Sequence, residues 1–161
     1  VQAVNEGRYA LGYNCYYIPE TLLNLRAAVG PEIGANFDPS HLVWQGIEPA
    51  QAIKALKDCM WHFHAKDTRI DKANTAVNGV LDYKHYSDVM NRSWVFRTIG
   101  YGSGEDAWRE IVSALRTIDY DYVMSIEHED SLMSQREGLE KAVKTLKEVM
   151  TFSGKGVMTW A

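Results

Sequence analysis

CMWHFHAK (59–66) is the stretch that decides the fold. On an extended chain its side chains alternate, with Trp61, Phe63 and Ala65 on one side and His62, His64 and Lys66 on the other. Two further segments share the pattern. In EIGANFD (32–38), Ile33, Ala35 and Phe37 oppose Gly34, Asn36 and Asp38. In DYVMSIE (121–127), Tyr122, Met124 and Ile126 oppose Asp121, Val123, Ser125 and Glu127. The first set in each segment is apolar and suits a surface covered by helices. The second is small or polar and ends in Asp38, His64 with Lys66, or Glu127.

Helix signals lie between these strands. GEDAWREIVSALRTI (104–118) opens on a glycine and two acids and sets Trp108, Ile111, Val112 and Leu115 on one face. SQREGLEKAVKTLKEVM (134–150) has Ser134 and Glu137 at capping-box spacing, with Leu139, Val143, Leu146 and Met150 at helical intervals. PETLLNLRAAVG (19–30) starts on proline and ends on glycine, and EPAQAIKALKD (48–58) is a fourth helix. With a strand at 8–14, the order is four successive βα units, which predicts an α/β fold with a parallel sheet. Gly12, Asp38 and His64 are equally spaced, as expected of repeated units. The step to Glu127 is more than twice as long, because an insertion at about 67–103 intervenes; loops of that length usually serve binding.

An open doubly wound sheet keeps both strand faces apolar. Strands with one polar face ending in chemistry-bearing residues fit a barrel interior, where sites form at the C-terminal strand ends. Asp38, His64 and Glu127 would then converge, and two carboxylates with an imidazole suit Mn²⁺, Mg²⁺, Co²⁺ or Zn²⁺. The same residues also fit a structural reading. In that reading Asp38 caps the following turn, His64 is a hydrogen-bonded interior residue, and Glu127 pairs with Lys66. His41, three residues after Asp38, could reach a sugar hydroxyl or phosphate, or pack on Trp44. Arg97 is a candidate anion contact, and GYGSG (100–104) is a loose relative of a phosphate loop without its lysine. His62 is expected inside, His85 at the surface, and His128 on the helix side.

The 161 residues suit one domain, and 46% hydrophobic with 24% charged is ordinary globular composition. A net charge of -4 and a pI near 5.7 argue against nucleic acid as a main partner. No apolar run of membrane-spanning length and no leader-like start are seen, so a cytoplasmic location is the expectation. The two cysteines, Cys15 and Cys59, form neither a disulfide framework nor a zinc site.

NFDPSHLVWQGIEP (36–49), HFHAKDT (62–68), WVFRTIGYGSG (94–104) and SIEHEDSLMSQREGLEKAV (125–143) together resemble the sugar phosphate isomerase/epimerase family of xylose-isomerase-like TIM barrels. The resemblance implies a divalent metal held by Glu, Asp, His and Glu from the last four barrel strands, with the two glutamates as the acid/base pair. It carries the Asp, His and second Glu onto Asp38, His64 and Glu127, and substrate contact onto His41, Lys66 and Arg97. Glu127 is then both ligand and catalytic group, and the partner is a small sugar or sugar phosphate. Two departures stand out. Gly12 occupies the place of the first glutamate, and Asn14-Cys15 that of a His-Pro pair, so the metal and turnover could both be lost and the chain be a binding or structural module. Four βα units are half of a (β/α)₈ barrel, which implies closure as a homodimer through the 8–14 and 121–127 strands.

Overall fold

The computed structural model describes residues 2–4, 8–11 and 18–160. Gly12, Asn14 and Cys15 lie outside the described residues, as does the end of the strand expected at 8–14. In chain order the elements are β1 (Gln2–Val4), β2 (Arg8–Leu11), α1 (Pro19–Val29), β3 (Ile33–Phe37), α2 (Pro39–Val43), α3 (Pro49–Ala55), β4 (Met60–Ala65), β5 (Asp67–Ile70), α4 (Lys72–Asn78), β6 (Trp94–Arg97), α5 (Glu105–Thr117), β7 (Met124–Ile126) and α6 (Gln135–Val149). Helix starts follow from local chemistry. Proline stands in the first turn of α1, α2 and α3, while Asp38, Glu48, Asp71 and Ser134 cap the helices that follow them.

The main sheet has the order β1-β2-β3-β4-β7, with β2, β3, β4 and β7 parallel and β1 antiparallel on β2. It is open; the described strands close no barrel. The antiparallel pairing of β1 with β2 was not expected, and it occupies the strand edge assigned above to a second chain. Helices pack on the apolar face. Phe63 is fully buried, stacks on Phe37 at 5.6 Å and meets Trp108 edge-on at 6.5 Å. Ile53, Ile111, Leu115 and Leu146 surround them, and burying each such side chain contributes about 2 kcal/mol.

Two expectations are corrected by packing. Trp61 was assigned to the apolar face beside Phe63 and Ala65. Instead the β3–β4 register shifts between Ala35 and Asn36, so Met60 pairs with Ala35 and His62 with Asn36. Trp61 is the extra residue of this bulge. Met60 takes its place in the core, and the Trp61 ring lies so close over Gly34 that a Cβ there would fall 2.4 Å from it. In α6 the buried stripe is Gly138, Ala142, Thr145, Leu146 and Val149, whereas Leu139 is half exposed. The helix is rotated because Gly138 sits against His128, leaving no room for a Cβ.

The 67–103 segment is structured. β5 and β6 form a two-stranded antiparallel sheet, with α4 between them. The turns before β6 are held by two charged side chains. The Asp82 carboxylate accepts from Ser93 N at 2.6 Å and Lys84 N at 2.9 Å. Buried Arg92 stacks on Tyr86 and Trp94 and donates to the Lys84 and Trp94 carbonyls.

Candidate active site

Asp38, His64 and Glu127 stand at the C-terminal ends of the neighbouring strands β3, β4 and β7. One possible ligand atom of each lies within 4.8 Å of the others. Asp38 directly follows β3, and its Oδ1 accepts from Ser40 N at 2.9 Å. His64 pairs in register with Ser125, and Glu127 follows β7 with its N–H still bonded to Ala65 O at 3.1 Å. His64 Nδ1 and Glu127 Oε2 are 2.8 Å apart.

Lys66 is the hub of this group. It lies on the interior side of the sheet at 3% exposure, with Nζ 3.1 Å from Asp38 Oδ2, 3.0 Å from Glu127 Oε1 and 3.1 Å from Glu129 Oε2. Its ammonium also sits 4.5 Å above the Phe96 ring, a favourable cation–π position. Burial by itself would lower the lysine pKa, but Asp38, Glu127 and Glu129 outweigh it and hold the group above its ordinary range. The Glu127 carboxylate is held down to about 2 by the His64 hydrogen bond, against desolvation and with help from Lys66.

The remaining expected residues divide. His41 Nε2 is 3.4 Å from Asp38 Oδ2, and its ring meets Phe96 edge-on at 5.3 Å. Burial lowers its pKa and Lys66 adds to this, while Asp38 opposes both. His62 lies inside as expected, with Nε2 2.8 Å from Ser125 Oγ, and stands edge-on to His64. Arg97 is committed elsewhere: its Nε donates to Asp130 Oδ2 at 3.0 Å, and the same oxygen accepts from Thr98 N. It does not line the cavity beside the site. His85 is exposed.

The glycine-rich loop is not an open phosphate cradle. The buried Asp67 carboxylate accepts from Gly100 N, Gly102 N and Ser103 N at 2.9, 3.1 and 2.9 Å, from Ser103 Oγ at 2.7 Å and from Trp108 Nε1 at 3.0 Å. The loop's donors are spent on an anion the chain supplies itself.

A cavity of about 650 Å³ adjoins the Lys66 hub. Trp44, Tyr86, Trp94 and Phe96 wall it, and His41, Lys66 and Glu129 supply polar groups. Trp44 stacks on Trp94 at 5.0 Å, and Tyr86 on Phe96 at 5.9 Å. Sequence reasoning singled out neither this aromatic wall nor the role of Glu129. The available signal was the two-residue offset of Glu129 from Glu127, which returns it to the same side of an extended chain.

The donor set fits a divalent cation: two carboxylates and one imidazole in mutual reach. Lys66 already places positive charge on Asp38 and Glu127, so a bound cation would share their oxygens with the ammonium.

Parallel strands with chemistry gathered at their C-terminal ends are a feature shared with α/β barrel proteins. The profile of the family described as Xylose isomerase-like TIM barrel matches residues 7–149, and the chain belongs to that family. It is 41% identical over 135 residues to the uncharacterized protein YfiH of Bacillus subtilis (strain 168), covering 84% of this chain and 43% of that protein. Its fold is also similar to that of the xylose isomerase domain protein from Planctomyces limnophilus, with a TM-score of 0.60 at 22% identity, over 82% of this chain and 43% of that one. The chain therefore spans less than half the length of the relatives it matches. No helix among the described residues is long and apolar enough to cross a membrane.

Proposed function

We infer that the chain is a single half-barrel domain, residues 1–161, of a metal-dependent isomerase or epimerase acting on a small sugar in the cytoplasm. The observation that carries this reading is the convergence of Asp38, His64 and Glu127 from three adjacent strand ends. A divalent cation held by those three would polarise the sugar carbonyl as a Lewis acid. Glu127 would take the proton from the carbon next to that carbonyl and return it on the same face to the former carbonyl carbon, while the hydroxyl proton passes between the two oxygens. Inversion at a single carbon would need a second acid on the opposite face. His64 and Lys66 keep Glu127 ionised at neutral pH, so it is always able to accept, at the cost of low basicity. Lys66 and His41 hold substrate oxygens, and Arg97 serves indirectly through Asp130.

A second copy completes the barrel in this reading. Because β1 covers the outer edge of β2, the partner's β7 must meet β1 or displace it. Light scattering tests this, and a monodisperse monomer removes it.

One observation favours a different reading. Gly12 stands where the family carries its first glutamate, and Lys66 already neutralises part of the cluster, as expected of a binding module without turnover. Elemental analysis of protein purified without chelator decides between them. The enzyme reading expects about one metal ion per chain, lost in Asp38→Ala and His64→Ala, with tighter binding in Gly12→Glu. Metal-free wild type and an unresponsive Gly12→Glu variant leave the module.

A further inference from the structure

The balance of charge around the aromatic cavity says what the cavity can hold. Counting the lysine and the carboxylates alone, Lys66 faces Asp38, Glu127 and Glu129, which leaves two net negative charges at the hub. A divalent cation would cancel these two and leave nothing over for an anion. The other positive side chains described nearby are held in place by the fold. Lys84 pairs with Asp82 at 3.1 Å, Arg92 is bonded to two carbonyls between Tyr86 and Trp94, and Arg97 is bonded to Asp130. The backbone donors of the glycine-rich loop are taken by Asp67. A phosphate ester entering this space would meet Glu129 and Asp82, with no uncommitted cation among the described lining residues.

The walls offer something else. Trp44, Tyr86, Trp94 and Phe96 line the cavity with apolar ring surface beside a cluster of hydrogen-bonding groups. That combination suits a molecule with C–H faces and hydroxyl edges. Resting on the sugar reading above, we propose that this cavity takes an uncharged polyhydroxy aldehyde or ketone and rejects its phosphate ester. The aromatic wall packs against the sugar's C–H surface, and the Lys66 hub receives the carbonyl end.

Isothermal titration calorimetry of the full chain, with and without Mn²⁺, tests it with the D-ketohexoses, their 6-phosphates and inorganic phosphate. The expected result is binding of at least one free ketohexose, with its 6-phosphate weaker by about tenfold or more, since like charges at a contact are strongly disfavoured. Inorganic phosphate should not displace the sugar. Trp44→Ala should weaken the free sugar, and Ser131→Lys, which adds a cation at the cavity wall, should narrow the gap between sugar and ester. Equal or tighter binding of the ester, displacement by phosphate, or no binding of any free sugar overturns the proposal. Metal analysis on the same samples separates the two readings. Preference for the free sugar without bound Mn²⁺ ends the metal-dependent function and leaves this inference; bound Mn²⁺ with preference for the ester does the reverse.

Discussion

Lys66 and Asp67 are joined by one peptide bond, both are almost fully buried, and each anchors a polar cluster. The clusters differ in kind. Asp67 faces only neutral donors: Thr68 N, three loop N–H groups, the Ser103 hydroxyl and the Trp108 indole. It ties β5 to the glycine-rich loop and α5, and its carboxylate is saturated. Lys66 faces carboxylates that it cannot neutralise alone, beside an open cavity. A saturated charge fastens the chain together, whereas an under-compensated one has capacity left for a ligand.

The sharpest way to break this comparison is Asp67→Asn. The amide turns donors toward donors, and unfolding in urea should show a loss of about 4 kcal/mol. A loss below 1 kcal/mol would mean that the Asp67 cluster is not what holds the loop. Lys66→Met leaves three carboxylates facing one another, and about 2 kcal/mol should be lost at pH 7. Because the fault is repulsion, stability should recover at pH 4 or on adding Mn²⁺; a loss that persists under both conditions points to packing instead. Ser103→Ala removes one of several donors to Asp67, with an expected cost of about 1 kcal/mol by thermal melting at fixed pH.

The last effect is confined to acid. The folded Glu127 pKa of about 2 lies below its ordinary value of 4.5, so the unfolded chain takes up that proton first. The stability it contributes is complete above about pH 4.5 and declines as pH falls toward 2. His41 acts in the same direction from a higher pH, since its lowered pKa makes the unfolded chain protonate before the folded one. Urea titrations across this range should therefore show a shallower acid decline in Glu127→Gln than in the wild type. Parallel curves would remove Glu127 from the cluster's electrostatics.

Local signals account for what could be read from the sequence. Alternation in 32–38, 59–66 and 121–127 marked the parallel strands, and capping at Ser134 and the periodicity of 104–118 marked α6 and α5. The convergence of Asp38, His64 and Glu127 followed from counting strand ends. What escaped depends on partners distant in sequence. Alternation alone cannot reveal that β4 gains a residue relative to β3 at Trp61, nor that Gly138 must meet His128. The Asp67 cluster joins residues more than thirty positions apart, so GYGSG shows in sequence only a loose likeness to a phosphate loop and nothing of the carboxylate that fills it. The aromatic wall likewise depends on how the 67–103 segment folds back on Trp44.

The bulge at Trp61 works as a phase shifter within a single strand. Upstream of it, Met60 keeps step with the helices; downstream, His62 and His64 keep step with the interior. Deleting Trp61 would leave Met60 and His62 adjacent and on opposite faces by simple alternation, in the same pairing with Ala35 and Asn36, so both frames survive. The strand can therefore lose a residue at this point with both faces kept, so deleting Trp61 should be far more tolerable than deleting Phe63, which would turn His62 or His64 into the core.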